Sequence, residues 1–214
     1  MRQFALGLFL TSLFAITFTW LSFSAKNEKS AGHPIKTAMG KPVSTEFTKL
    51  QARAFKAKQF LKENSFDTSF CFLIDMSLPA NRKRFFVYDL QSDTVSNAGL
   101  VTHGNCNQYW LQGRKYGNDI GCGCTSLGKY RIGKAYQGRF GLAFKLYGLD
   151  STNSNAFNRF VVLHSHDCVP DNETEDNICQ SNGCPTVAPA FLKQLNAIIK
   201  RSGKPILLWI FYPD

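Results

Sequence analysis

The sequence lacks the patterns that mark several common classes of protein. It contains no internal repeat and no basic run with interleaved aromatic residues, which argues against a repeat protein and against binding of nucleic acid. Acidic residues are scarce, at 15 against 25 Lys and Arg. The acidic stretch 167–176 lacks the glycine of a calcium-binding loop. We therefore expect a basic protein whose partner is an anionic polymer such as cell wall.

A charge-free apolar stretch, 4–23, follows the first basic residue. Ser22 and Ser24 place small side chains at the −3 and −1 positions of a cleavage site before Ala25, which predicts a secretory signal peptide over residues 1–24. The alternative is an uncleaved N-terminal anchor, since about 20 apolar residues can span a bilayer. In both cases we expect the rest of the chain to be exported, into the periplasm or cell envelope, and to meet a membrane only through an uncleaved anchor.

Two short segments precede the predicted domain. Residues 25–43 are polar and contain glycine and proline, which predicts a linker. Residues 44–66 are predicted to form a helical extension, because apolar residues recur at steps of three and four. These are Phe47, Leu50, Ala54, Ala57 and Leu61. Lysine and arginine cover the other face, which is either the solvated outside of a packed helix or a surface that meets the wall or membrane.

From residue 69 onward the pattern is typical of strands. Apolar residues alternate or form short runs between turn residues, and one helix precedes the last run. The predicted strands are 69–75, 84–90, 94–102, 138–148 and 206–211, and the predicted helix is 189–202. Pro189 suits the first turn of that helix, and Gly203 ends it. We therefore expect a mostly β domain with a C-terminal helix over residues 69–214.

Seven cysteines are present, and an odd count in an oxidising compartment leaves one thiol free. If Cys184 is that thiol, the other six are enough for three disulfides. The candidates are Cys71, Cys106, Cys122, Cys124, Cys168 and Cys179. A bridge from Cys168 to Cys179 would close the acidic loop beside Cys184. Cys122 and Cys124 are too close to bridge each other, so each is expected to have a distant partner.

A metal site is the alternative use of some of these cysteines. His103, Cys106, Cys122 and Cys124 could supply four ligands, but their spacing departs from the C-x2–4-C pairs of zinc sites. We therefore expect no metal and no cofactor.

The stretch 181–187 (SNGCPTV) carries the strongest chemical signal. Cys184 follows Gly183, and His164 ends the apolar run 160–163 upstream. A cysteine needs a base because the thiolate is its reactive form, so a nearby histidine is the natural partner. His166 lies two residues further on and is a second candidate. The alternatives are a disulfide partner and a structural histidine. Cys124 is a rival nucleophile, but no histidine ends a strand beside it.

Together, 161–165 (VVLHS) and 181–187 resemble the L,D-transpeptidase catalytic domain, the YkuD-like family of murein cross-linking enzymes, and in particular its Gly-Cys-Pro branch. That family has a histidine at a strand end, a gap, and then Ser/Thr-x-Gly-Cys. The gap is 16 residues from His164 and 14 from His166, and the sequence around His164 matches the family pattern better. Residues 125–132 and 153–159 resemble further family segments. Thr186 stands where the family often carries Arg or Asn.

The resemblance implies an L,D-transpeptidase-like β-sandwich with a C-terminal helix, preceded here by the helical extension. It implies that Cys184 attacks a peptidoglycan stem peptide before its terminal D-alanine, with His164 as base. It further implies that the Ser165 carbonyl orients the imidazole and that the N–H groups of Gly183 and Cys184 hold the oxyanion. His166, the second candidate base, would otherwise shape the pocket or meet the substrate. Substrate contacts are expected from Ser181, Asn182, Thr186, Asn155 and Arg159.

Two other functions remain open at this point. The same chemistry with water as acceptor gives an L,D-carboxypeptidase, and a chain without catalysis would be a wall-binding module. The expected partner is the peptidoglycan stem peptide, and the oligomeric state stays open.

Overall fold

The computed structural model describes residues 45–212, so the predicted signal peptide and linker lie outside the described residues. Helix α1 spans Thr45–Glu63, and helix α2 spans Pro189–Arg201. The strands are β1 Phe70–Asp75, β2 Phe85–Asp89, β3 Thr94–Gly99, β4 Gly128–Gly138, β5 Gly141–Gly148, β6 Val162–Ser165, β7 Thr186–Val187 and β8 Leu207–Phe211. Within residues 45–212, no helix is both long and apolar enough to cross a membrane.

The strands form one continuous hydrogen-bonded sheet in the order β3-β2-β1-β8-β4-β5-β6-β7. The last strand of the chain, β8, lies in the middle, parallel to β1 and antiparallel to β4. At one edge, β6 and β7 pair in parallel, with His164 opposite Thr186. The expected strand-rich domain with an N-terminal and a C-terminal helix is confirmed.

Each face of the sheet carries its own apolar cluster, because successive side chains of a strand point to opposite faces. On β1, Phe72 and Ile74 join the cluster that α2 covers, whereas Cys71 and Leu73 join the cluster that α1 covers. The predicted apolar stripe of α1 packs into that second cluster through Leu50, Ala54, Ala57 and Leu61. Burying a leucine of this stripe contributes about 2 kcal/mol, so the helical extension is part of the folded domain.

Two predicted strands end differently in the structure. The predicted strand 94–102 stops at Gly99, after which Val101 leaves β2 and bridges to Val187 of β7. The predicted strand 138–148 begins at Gly141, because residues 138–141 form a two-residue hairpin turn between β4 and β5. Both differences matter for the site, since the first brings Thr102 beside Thr186 and the second lifts Phe140 over β6.

Candidate active site

The β6–β7 edge brings the sequence-predicted cysteine and both histidines to one cavity of about 380 Å³. His164 lies on β6, and Cys184 lies in the loop that leads into β7. The residues that line this cavity include Thr102, Phe140, His164, His166, Ser181, Asn182, Cys184 and Thr186. The parallel pairing of two strands that are far apart in sequence therefore assembles the site.

The Cys184 thiol is half-buried and is not part of a disulfide. Its sulfur accepts a hydrogen bond from the Val162 N–H at 3.4 Å and donates to the Phe160 carbonyl at 3.7 Å. Burial raises the pKa of the Cys184 thiol, and the Val162 N–H and the positive charge of Arg159 oppose this rise only in part. At rest the group is therefore a neutral thiol.

His164 is held by a hydrogen bond on each ring nitrogen. Nδ1 lies 3.0 Å from the Ser165 carbonyl oxygen, and a carbonyl only accepts, so Nδ1 carries the proton. Nε2 is then the unprotonated nitrogen, and it lies 3.0 Å from the Thr186 hydroxyl. Burial lowers the pKa of His164, although the Ser165 carbonyl favours the charged form. The result is a neutral imidazole with its basic nitrogen turned toward β7.

At rest the thiol and the imidazole do not touch each other. Among residues 45–212, the hydrogen-bond partners of the Cys184 sulfur are Val162 and Phe160, and neither imidazole is one of them. The Thr186 hydroxyl occupies the hydrogen-bonding position of His164 Nε2. Catalytic hydrogen bonds are often long in an empty site and shorten when substrate binds. Proton transfer therefore requires that the thiol leave these partners and meet Nε2.

Phe140 is a residue of the site that the sequence did not reveal. Its ring stacks on His164 at a centroid distance of 5.3 Å and meets His166 edge-on at 5.1 Å. His166 itself is exposed, and its Nδ1 accepts the Cys168 N–H at 3.1 Å. No local signal points to Phe140, because it reaches the histidines only through the β4–β5 hairpin. Gly138 and Gly141 indicate the tight turn but not the contact of Phe140 with the histidines.

The loop that carries Cys184 is fixed by hydroxyl groups. The Cys184 carbonyl accepts hydrogen bonds from the hydroxyls of Ser181 at 2.7 Å and Thr102 at 3.2 Å, and the Thr186 hydroxyl oxygen lies 3.4 Å away. The Gly183 N–H donates to the Ser181 hydroxyl at 3.1 Å. One of the two predicted oxyanion donors, the Gly183 N–H, is therefore engaged at rest.

Gly183 is required at its position for two reasons. Its φ is +106°, a conformation that side chains with a Cβ rarely adopt. A Cβ there would also lie 2.7 Å from the Cys124 carbonyl oxygen and 3.2 Å from Arg159. The loop that carries Cys184 thus packs directly on Cys124.

Asn155 and Arg159, predicted as substrate contacts, make framework hydrogen bonds in this structure. Arg159 donates to the Gly117 carbonyl and the Ser126 hydroxyl, both at 3.0 Å, and to the Cys124 carbonyl. The Asn155 side chain donates to the Asn118 carbonyl at 3.0 Å. These contacts hold the 117–126 segment beneath the nucleophile loop. The other predicted contacts, Ser181, Asn182 and Thr186, line the cavity itself.

The structure contains two disulfides, Cys168–Cys179 and Cys106–Cys124. The first is the expected bridge across the acidic loop. The expectation of three bridges is wrong, because Cys71 and Cys122 are both free thiols, and so is the expectation of a distant partner for Cys122. Cys71 is buried in the apolar cluster under α1, where burial raises its pKa to about 12. The second bridge removes Cys106 and Cys124 from the alternative metal set and Cys124 from the rival nucleophiles.

Some solved structures are similar to this chain. Two crystal structures of the helical cell shape determining protein Pgp2 from Campylobacter jejuni are similar to it, one of them of a mutant form. The mutant structure is 11% identical with a TM-score of 0.42, over 80% of this chain and 58% of that one. The other is 13% identical with a TM-score of 0.38, over 73% and 56%. The chain thus spans less than two thirds of the length of either.

No curated protein matches the sequence. A family model for the L,D-transpeptidase catalytic domain matches residues 41–209, which include both helices, most of the sheet and the whole Cys184 cavity. The chain therefore belongs to the L,D-transpeptidase catalytic domain family.

Proposed function

We propose that this protein is an L,D-transpeptidase that transfers an acyl group between peptidoglycan stem peptides through a thioester on Cys184. Membership of the family relates the chain to peptidoglycan. The observation that carries the proposal is the shared cavity, in which a free thiol and an imidazole with an unprotonated Nε2 face the same space. Nucleophilic catalysis by cysteine needs this pair within reach of one substrate carbonyl.

The first half of the reaction forms the thioester. His164 Nε2 takes the thiol proton as the Cys184 sulfur attacks the carbonyl between the diamino acid and the terminal D-alanine. The carbonyl oxygen becomes an oxyanion, which the Cys184 N–H stabilises, with the Gly183 N–H as second donor when it leaves Ser181. The imidazolium then protonates the leaving amine, and D-alanine departs.

In the second half, an amine of a neighbouring stem attacks the thioester. His164 accepts the proton of that amine and returns it to the sulfur, so the free thiol is restored. The Ser165 carbonyl keeps Nδ1 protonated throughout, which leaves Nε2 available for each transfer. The proton transfers of both half-reactions therefore pass through Nε2 of His164.

The resting state is a neutral pair rather than a thiolate–imidazolium pair. Burial raises the pKa of Cys184 and lowers the pKa of His164, so each shift favours the uncharged form. The proton consequently moves when the sulfur attacks, and substrate must first bring thiol and imidazole together. The Thr186 hydroxyl, bound to Nε2 at rest, either relays the proton or turns away.

We place substrate contacts on the exposed side of the cavity. Asn182 lies at its mouth, and Phe140 and His166 form one wall. Asn155 and Arg159 act in this proposal by holding the segment under Gly183 rather than by touching the peptide. Two disulfides suit an oxidising compartment, so we further propose that the chain works outside the cytoplasm, in the periplasm or cell envelope.

The test uses purified protein with a stem tetrapeptide that ends in D-alanine, with and without an acceptor stem. Mass spectrometry should detect a cross-linked product that has lost one D-alanine, formed by the wild type and not by Cys184→Ser. A tripeptide product without any cross-link would assign the L,D-carboxypeptidase activity instead. Absence of both products with a folded wild type would contradict acyl transfer, and would leave a wall-binding module.

A further inference from the structure

A second cavity, of about 590 Å³, adjoins the active site and has no role in the reaction above. Its walls include His103, Trp110, Arg114, Tyr116, Gln180 and Tyr212. Gln180 lines both cavities. A cavity of this size with polar walls is a candidate ligand-binding site.

Two buried polar groups of residues that line this cavity have no hydrogen-bond partner in the described part of the chain. His103 is only 9% exposed, and its Nδ1 lies 3.2 Å from a guanidinium nitrogen of Arg84. Arginine only donates, so Nδ1 is the acceptor and the proton sits on Nε2. Within residues 45–212, neither the His103 Nε2–H nor the buried Tyr116 hydroxyl has a partner. Buried donors nearly always have a hydrogen-bond partner, so we expect a ligand to supply an acceptor for these two groups.

The charge around the cavity favours an anion. Arg84 and Arg114 both act electrostatically on His103, and their guanidinium groups donate to backbone carbonyls rather than to carboxylates. Asp75 is the carboxylate that influences Arg84 and Tyr116. Among residues 45–212, the two guanidinium groups and the one carboxylate that act on these side chains leave a net positive charge at the cavity. The ion pairs among the described residues are Arg82–Glu173 and Lys129–Asp150, so neither arginine belongs to one.

The backbone ties this cavity to the nucleophile loop. The Ser181 N–H donates to the His103 carbonyl at 2.9 Å, and the Asn105 N–H donates to the Ser181 carbonyl at 2.8 Å. The Gln180 side chain pairs with both backbone groups of Leu111, each at 2.9 Å. The two cavities therefore share Gln180 as a wall and are joined by this hydrogen-bonded backbone.

We propose that the cavity of His103, Arg114 and Tyr116 is a carboxylate-binding subsite, which holds a carboxylate of the stem peptide while its acyl group lies at Cys184. This inference rests on the proposed function. The His103 Nε2–H and the Tyr116 hydroxyl donate to the carboxylate oxygens, and the surplus positive charge of the two arginines balances its charge. A neutral carbonyl would satisfy the donors but would leave that charge uncompensated.

Tyr116→Phe is the sharpest variant, because it removes one hydroxyl that has no partner among the described residues 45–212. Binding of a stem tetrapeptide is measured by calorimetry in a Cys184→Ala background, where no turnover occurs. Affinity should fall about tenfold, the usual effect of losing one hydrogen bond to a charged group. Thermal stability should stay the same or rise, since the lost hydroxyl was unsatisfied. Tyr109→Phe, at an exposed position outside the cavity, is the matched control and should change neither quantity.

Amidated peptides identify the carboxylate. Each carboxylate of the tetrapeptide is amidated in turn, and one amide should bind about tenfold more weakly to the parent protein. The penalty for that amide should be smaller in Tyr116→Phe, which has lost one of the donors but keeps His103 and the arginines. The ¹⁵N resonance of His103 Nε2 should also shift on addition of the free acid. Equal affinity of every amide and the free acid would overturn the proposal, as would an unchanged affinity in Tyr116→Phe.

Thioester formation on wild-type Cys184 separates this inference from the proposed function. A thioester together with a tetrapeptide affinity that is indifferent to Tyr116 would refute the subsite and leave the acyl transfer standing. Binding that depends on Tyr116 and on one carboxylate, without any thioester, would support the subsite and refute the acyl transfer.

Discussion

Replacement of Gly183 by alanine should damage both the fold and the site. The φ of +106° costs about 1 to 2 kcal/mol for a residue with a Cβ. The new methyl group would lie 2.7 Å from the Cys124 carbonyl oxygen, so that carbonyl or the loop must move. Movement weakens the Arg159–Cys124 hydrogen bond, which is worth about 1 to 2 kcal/mol. We expect Gly183→Ala to lower the free energy of unfolding by about 3 kcal/mol in total.

Two other glycines separate the contributions. Gly113 has a φ of +73° and open space around its Cα, so Gly113→Ala should cost only about 1 kcal/mol. Gly203 has neither a positive φ nor a close neighbour, so Gly203→Ala should be neutral or slightly stabilising. Urea unfolding gives the three values, and Gly183→Ala should lower the melting temperature by roughly 6 to 12 °C. A cost for Gly183→Ala no larger than that for Gly113→Ala would refute the packing of the nucleophile loop on Cys124.

Three further predictions concern the histidines and the free thiols. His164→Ala should lose a factor of about 10² to 10⁴ in turnover of a tetrapeptide, whereas His166→Ala should keep a measurable fraction of the wild-type turnover. Circular dichroism checks that both variants are folded. If His166→Ala were the inactive variant and His164→Ala the active one, the two histidines would exchange roles. In the non-reduced protein, a thiol reagent should label Cys122 and Cys184, and it should label Cys71 only after unfolding. Peptide mapping identifies the labelled residues. Burial and two guanidinium groups lower the pKa of His103 to about 4, whereas the unfolded chain takes up that proton near 6.5. The free energy of unfolding that depends on neutral His103 is therefore fully present above pH 6.5, and about 3 kcal/mol of it is lost as the pH falls to 4. If urea unfolding of the wild type had the same pH dependence as that of His103→Gln, this prediction would be contradicted.

The sequence predicted elements whose signal is local. The alternation over 69–75 and the stripe of α1 each report on one element, and both are present in the structure. Strand ends were less predictable, because Val101 leaves β2 for a partner more than eighty residues away. The central position of β8 is likewise a property of pairing and not of its own residues.

The site was predictable where a short motif carries it. His164 and Cys184 were identified from two stretches, and the structure brings both stretches to one cavity. Phe140 and the orphan donors of His103 and Tyr116 were not identified, since they depend on contacts between distant segments. The prediction of a third disulfide was wrong for a similar reason, because Cys71 is buried in an apolar cluster formed by distant segments.

Acylation of Cys184 is the central claim, and a carbapenem tests it most directly, because its strained lactam resembles the acyl donor of this family. Intact-mass measurement of the wild type should show one adduct, which peptide mapping places on Cys184 and which Cys184→Ala lacks. Penicillins should react less well. A folded wild type without an adduct, or an adduct that persists in Cys184→Ala, would contradict the assignment of Cys184 as the nucleophile.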